Sequence, residues 1–254
     1  MTTMDTDTPQ TARIWNYLLG GTDNYPADRA VGDQIVQGMP QLAENARLSR
    51  AFLNRATRYL AGEAGVGQFL DVGSGLPAAS NTHEVAQAVD PAARVVYVDS
   101  DPLVAAHART LLTSTPEGAT DYLEADMRDP ATILSGAART LDLDRPVALF
   151  LMGVLGHVES DDEAAAIVHG FLDALAPGSY FAMYDGSDTS AANTEAVRIW
   201  NLSANPQYHL RSVERIAALF DGLDLVEPGV VPVTRWRSDG DEVDQYCAVG
   251  RKPV

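Results

Sequence analysis

The chain has 254 residues, 46% of them hydrophobic, enough for one large α/β domain with a real core. Its formal net charge is −17, from 35 acids against 18 bases with no basic run, which argues against a nucleic-acid partner. A single cysteine, Cys247, excludes an intrachain disulfide and a thiolate cluster. The histidines stand at no metal-ligand spacing, so no metal site is expected.

The N-terminal MTTMDTDTPQ lacks the basic and apolar regions of a signal peptide. The longest near-apolar run, VALFLMGVLG (147–156), is too short to span a bilayer. A cytoplasmic protein is the expectation. Residues 11–19 and 28–37 suit short helices on either side of the bend at Gly20-Gly21, and 41–61 has helical apolar spacing. The pattern changes at QFLDVGSG (68–75), a short apolar strand running into glycines. RVVYVDSDP (94–102) is a second strand, 103–112 a helix, and TDYLEADMRDP (120–130) a third strand. A helix over 131–140, a strand at 146–153, an amphipathic helix at 161–175 and a strand at 177–186 follow. After a helical stretch at 193–220, residues 223–236 and 241–253 read as consecutive strands with an Asp-Gly hairpin turn in RSDGD.

Alternating strands and helices predict a doubly wound, seven-stranded, mostly parallel sheet. An antiparallel hairpin is expected at its C-terminal edge. One domain is expected over 1–254, with a helical lid or cap segment at 1–65 and the core at 66–254.

Ligands of open α/β sheets bind beyond the carboxyl ends of the strands. Those exits carry Asp71, Gly73, Ser74 and Gly75, then Asp99 and Ser100, then Asp126 and Met127, then Met152 and Gly153. The glycines let a ligand approach the backbone. Asp99 suits a pair of ribose hydroxyls and Asp126 an exocyclic amine, which together describe an adenosine site. A dinucleotide needs a helix starting directly after the glycines to meet its pyrophosphate. Here Leu76 and Pro77 intervene, and Asn81 with Glu84 forms a capping box that starts the helix later. The only lysine, Lys252, lies in a tail expected to fray, which removes P-loop, Schiff-base and Tyr/Lys dehydrogenase chemistry. A ligand without phosphates, S-adenosylmethionine, fits better. Asp71 would meet its ammonium and glycine-loop amides its carboxylate.

FLDVGSG, YVDSDP, EADMRDP and LAPGSYFAM resemble the successive motifs of class I S-adenosylmethionine-dependent methyltransferases, over about 66–250. YLLGGTDNYPADR, NTHEVAQ and the closing VPVTRWR…YCAVGRKP make the whole chain similar to one actinobacterial family in that class, often labelled S-adenosyl methyltransferase. Pro77 departs from the third glycine of many class members. The resemblance implies a Rossmann-like core, bound S-adenosylmethionine and methyl transfer; it does not supply the acceptor, which is expected to be an unidentified small molecule. It also implies that the segment before the first strand folds over the cofactor. The bend would then bring Asn24 and Tyr25 to the methionine end, with Tyr17 a further candidate. His157, after the fourth strand, is a candidate general base set against a simple packing role. Arg47, Arg50, Arg55 and Arg58 are expected on a solvated helix face that pairs with the acidic body, with Arg50 reaching a carboxylate as the minor alternative. Two rival functions remain open at this point: a cofactor-binding sensor without transferase activity, and an NAD-dependent dehydrogenase.

Overall fold

The computed structural model describes residues 6–77, 80–104, 113–202 and 206–254. Three helices come first: α1 (Thr11–Leu18), α2 (Pro26–Gly38) and α3 (Leu42–Gly62). The sheet region follows as β1 (Gln68–Val72), α4 (Thr82–Val89), β2 (Arg94–Asp99), β3 (Ala119–Glu124), α5 (Pro130–Ala137) and β4 (Ala148–Met152). It continues with a 3₁₀ turn (Leu155–His157), α6 (Asp161–Leu172), β5 (Tyr180–Gly186), α7 (Ala191–Trp200) and α8 (Val213–Ala218). The chain closes with β6 (Asp224–Leu225), β7 (Val231–Pro232) and β8 (Gln245–Arg251). Of the helix expected at 103–112, only its first two residues are described, and both are helical.

The sheet runs β3-β2-β1-β4-β5-β8-β6, with β7 also paired to β8. Strands β1 to β5 are mutually parallel, and β8 enters antiparallel between β5 and β6. Strands β1 and β4 are buried along their whole length, and the unbroken apolar run of β4 is what a sheet covered on both faces requires. Side chains alternate across each strand. Leu70, Val96, Leu149 and Met183 pack on one face with Ile133, Phe171 and Phe220. Phe69, Val95, Phe150 and Ala182 pack on the other with Phe52, Leu60 and Trp236. Burial of each such large side chain contributes about 1.5–3 kcal/mol. Strand order reverses around β1, between β2 and β4, which opens a crevice at their carboxyl ends.

The mostly parallel sheet with an antiparallel C-terminal edge is as expected, and details of that edge differ. The part expected as one strand is split into the two-residue β6 and β7, which brings the count to eight. The Asp-Gly hairpin is replaced by a wider loop in which the Gly240 amide donates to the Thr234 carbonyl. Its cause is Trp236, fully buried against Phe52 and Tyr59, while Arg55 donates to the Trp236 and Val233 carbonyls. A strand cannot run on flat while its tryptophan turns into the core. Arg55 is accordingly no solvated residue, although Arg47 does pair with Glu44 on the surface. Lys252 is tied down too: its ammonium donates to the Leu172 and Leu175 carbonyls at 2.6 and 2.8 Å, at the end of α6. Among the described residues no helix is long and apolar enough to cross a membrane.

The N-terminal helices form a third cluster. Ile14, Leu18, Val31 and Ile35 pack with Leu42 and Ala46 of α3 and with Ala196 and Trp200 of α7. A buried ion pair, Arg13 to Asp28 at 2.9 Å, links α1 to α2. Helix α1 is thereby fixed against α2, α3 and α7.

Candidate active site

A cavity of about 850 Å³ occupies the crevice. Its floor is the β1 exit. Gly73 has a φ of +73°, the left-handed region that glycine tolerates best. Its amide and that of Ser74 both donate to the Val98 carbonyl, at 2.7 and 3.1 Å, so the loop turns back across β2. The Gly75 amide then donates to Asp99 Oδ2 at 2.8 Å, and the Asp101 amide to Asp99 Oδ1 at 3.0 Å. Burial raises the Asp99 carboxyl above its ordinary range, partly offset by these amides. Asp101 in turn accepts from the Leu103 amide, a turn-capping role. A Cβ on Gly75 would meet nothing within 4 Å, so the space over the loop is open to a ligand.

Asp71 is buried beneath this loop and accepts from Thr82 Oγ1 at 2.6 Å. Burial pushes its carboxyl up to about 6, opposed by Thr82 and by the Arg50 guanidinium. Arg50 donates to the Ser80 carbonyl and to Asn81 Oδ1, yet its Nε is buried without a hydrogen-bond partner. The expected capping box at the start of α4 is present, with Glu84 accepting from the Asn81 amide at 2.8 Å.

Ser100, Asp126, Met127, Met152 and Gly153 also line the cavity, as does His157. Asp126 is exposed and accepts from the Arg128 amide at 2.9 Å. Nδ1 of His157 lies 2.8 Å from the Gln207 carbonyl. A carbonyl only accepts, so Nδ1 carries a proton and Nε2 is the acceptor of the neutral ring. Burial lowers the His157 pKa, which favours that neutral form.

Tyr17, Asn24 and Tyr25 are not among the lining residues. Tyr17 and Asn24 serve the N-terminal helices, while Tyr25 does so and also packs in the cluster of Leu76 and Leu103 beside the glycine loop. The Tyr17 hydroxyl donates to Asp33 at 2.6 Å, and Asn24 Nδ2 donates to Asn16 Oδ1 and the Gly21 carbonyl, both at 2.9 Å. The Tyr25 amide donates to Asp28 Oδ2 at 2.8 Å, and the Arg13 guanidinium stacks on its ring. Helix α1 presents Trp15, Asn16 and Leu19 to the cavity in their place. Arg50, read as solvated, was masked by its regular spacing among four arginines. Tyr208, Trp200 and Gln245 also line the site and carry no local motif.

The donor set suits an adenosine compound with an amino-acid tail. A carboxylate, Asp99, stands at the β2 exit, and a second buried carboxylate, Asp71, and the Arg50 guanidinium stand beside an open glycine loop. Helix α4 begins at Thr82, well beyond the glycines, so no helix N-terminus meets a pyrophosphate there.

Comparison with known proteins agrees with this geometry. Residues 1–253 match the family described as S-adenosyl methyltransferase. A DUF574 family protein from Streptomyces avermitilis is 44% identical, with 98% of this chain and 99% of that one covered and a TM-score of 0.94. A protein from Thermobifida fusca is 43% identical over 98% and 97%, with a TM-score of 0.90. Human N-acetylserotonin methyltransferase, crystallised with S-adenosylmethionine, shares the fold alone at 13% identity, over 98% of this chain and 64% of that one, with a TM-score of 0.54. No curated protein matches. This chain belongs to the S-adenosyl methyltransferase family, a family of methyltransferases whose cofactor is S-adenosylmethionine.

Proposed function

We propose that this methyltransferase binds S-adenosylmethionine along the β1, β2 and β3 exits and methylates a small-molecule acceptor held in the remainder of the same cavity. The observation that carries the reading is the Asp99 carboxylate, fixed by the Gly75 and Asp101 amides beside the open glycine loop. Asp99 would take the ribose hydroxyls. Asp71 would take the ammonium, Arg50 the carboxylate, and Asp126 with Met127 the adenine edge and face. When bound, the cofactor supplies a methyl group already activated on a sulfonium. The protein's task is then to orient the acceptor and exclude water. Residues 1–65 act as a cap on the 66–254 core, since α1 walls the cavity from above and packs on α7. We place the enzyme in the cytoplasm on the sequence argument above.

Calorimetry with S-adenosylmethionine, S-adenosylhomocysteine and NAD tests the cofactor assignment. The two adenosyl compounds should bind and raise the melting temperature by mass action, and NAD should do neither. Preferential binding of NAD would refute it. Asp99→Ala should weaken S-adenosylhomocysteine binding by about 1–3 kcal/mol, the cost of leaving ribose hydroxyls unmet. Asp99→Asn keeps an acceptor oxygen and should lose less. Unchanged affinity in Asp99→Ala would show that the ribose lies elsewhere.

A further inference from the structure

We propose that Tyr208 and Asp185 form the proton-accepting pair of an acceptor subsite for a neutral, planar hydroxyl compound of the phenol class. This rests on the reading of the β1–β3 side of the cavity as the cofactor site. It concerns the opposite side, where β5 ends and α1 and α7 close over it.

Tyr208 is held from every direction. Its carbonyl accepts from Asn201 Nδ2 at 2.7 Å and its amide donates to Asn201 Oδ1 at 2.8 Å. Its ring lies against Gly156 and Gly186, and a Cβ on Gly156 would overlap that ring. The His157 ring meets it edge-on at 5.1 Å. Its hydroxyl donates to Asp185 Oδ1 and accepts from the Gly186 amide at 3.0 Å. The phenolic oxygen has one acceptor position left. Tyr208 itself lines the cavity.

Asp185 sits behind it, 1% exposed, beside the Gly156 and Gly186 backbone amides. Burial pushes its carboxyl up to about 7. The charged and titratable groups around the pair are few. Arg211 faces Asp185 but is committed to Asp161 and to the Leu155 and Val158 carbonyls. Tyr184, on the same strand, couples weakly to both members, and His157 touches Tyr208.

The proton transfer balances within these groups. The acceptor's O–H bond breaks as Tyr208 Oη takes the proton. Tyr208's own proton moves along the existing hydrogen bond to Asp185 Oδ1. A neutral hydroxyl and a carboxylate become an oxyanion and a carboxylic acid, and Tyr208 ends as it began. The oxyanion is then a nucleophile competent to accept a methyl group. A carboxyl near 7 lies within about three pH units of a phenol and much further from an aliphatic alcohol, which selects the hydroxyl class.

The walls select the rest. Trp15, Leu19, Val197, Trp200 and Leu210 present apolar and aromatic surface to this half of the cavity. These walls suit a flat, largely apolar molecule carrying a hydroxyl.

The test uses 4-nitrophenol, whose neutral and phenolate forms absorb at different wavelengths. Calorimetry first shows that the wild type, Tyr208→Phe and Asp185→Asn each bind S-adenosylhomocysteine, so failure of the cofactor reading is seen separately. The probe is then titrated into the S-adenosylhomocysteine-saturated proteins across pH. In the wild type the phenolate band should grow in two steps, because probe and Asp185 share one proton through Tyr208 and titrate as a pair. In Asp185→Asn it should grow in a single step. Tyr208→Phe, which keeps the ring between its two glycines, should also give a single step, and it decides alone if Asp185→Asn loses S-adenosylhomocysteine binding. No binding of the probe to the saturated wild type, a single wild-type step, or a two-step profile that either variant reproduces would overturn the proposal.

Discussion

Asp28→Ala is expected to destabilise the protein by about 3–5 kcal/mol, the usual cost of removing one partner from a buried ion pair. Arg13 and Asp28 are 2% and 0% exposed and 2.9 Å apart, so water can replace neither partner. Asp28 also accepts from the Gln10 amide at 3.0 Å and the Tyr25 amide at 2.8 Å, at the starts of α1 and α2. Its loss strands a buried guanidinium and two helix-start amides together. Urea unfolding should show a lower midpoint with an unchanged slope. Because the pair fixes α1, which carries Trp15 and Asn16 to the cavity, S-adenosylhomocysteine affinity should fall in the same variant. A double variant, Arg13→Met with Asp28→Asn, removes both charges yet keeps an acceptor for the amides. It should recover most of the loss, since the penalty lies in the unpaired charge. A single-variant loss under about 1 kcal/mol, typical of surface pairs, would show that the pair is solvated.

This ion pair could not be read from the sequence, and the reason is general. Arg13 and Asp28 sit in ordinary helical stretches, TARIWNYL and PADRA, and meet only because α1 folds back on α2. What was legible was local or periodic. The short apolar stretches of β1 and β4, unbroken in β4, announce strands of a covered sheet, and the acids and glycines at the strand ends mark the exits. The Asn81–Glu84 spacing locates the start of α4 because capping acts within one helical turn.

The polar-aromatic cluster around Gly20-Gly21 shows the opposite case. Tyr17, Asn24 and Tyr25 have the residue types of a ligand site. In the fold they supply partners to Asp33, Asn16 and Asp28, because two short helices meeting at a sharp bend leave many backbone and side-chain groups to satisfy. The acceptor half of the cavity was illegible for a further reason. It is assembled from α1, β5, α7, the Tyr208–Leu210 segment and β8, which are far apart in the chain. Tyr208, in a plain NPQYHL, gains its meaning only from Gly156, Gly186 and Asp185 around it.

Gly73→Ala is expected to cost about 2–5 kcal/mol, from two separable sources. The first is backbone conformation: φ is +73°, and an L side chain there costs roughly 1–2 kcal/mol. The second is space, since a Cβ would overlap Val154 Cγ1 and stand 3.0 Å from Val154 Cβ, an overpacking of roughly 1–3 kcal/mol. Gly65→Ala separates the two. Gly65 has φ +67° and nothing within 4 Å of a Cβ, so it carries the backbone cost without the collision. It also lies outside the cavity lining. Gly65→Ala should therefore lose only about 1–2 kcal/mol and bind S-adenosylhomocysteine normally. Gly73→Ala should lose more and bind weakly, because the Gly73 amide bond to the Val98 carbonyl sets the loop that brings the Gly75 amide to Asp99. Adding Val154→Ala removes Cγ1 and should return part of the steric share, leaving the backbone share in place. Equal stability and equal S-adenosylhomocysteine affinity in Gly65→Ala and Gly73→Ala would mean that the β1 exit tolerates a side chain, and that neither the loop's shape nor its closeness to β4 governs the site.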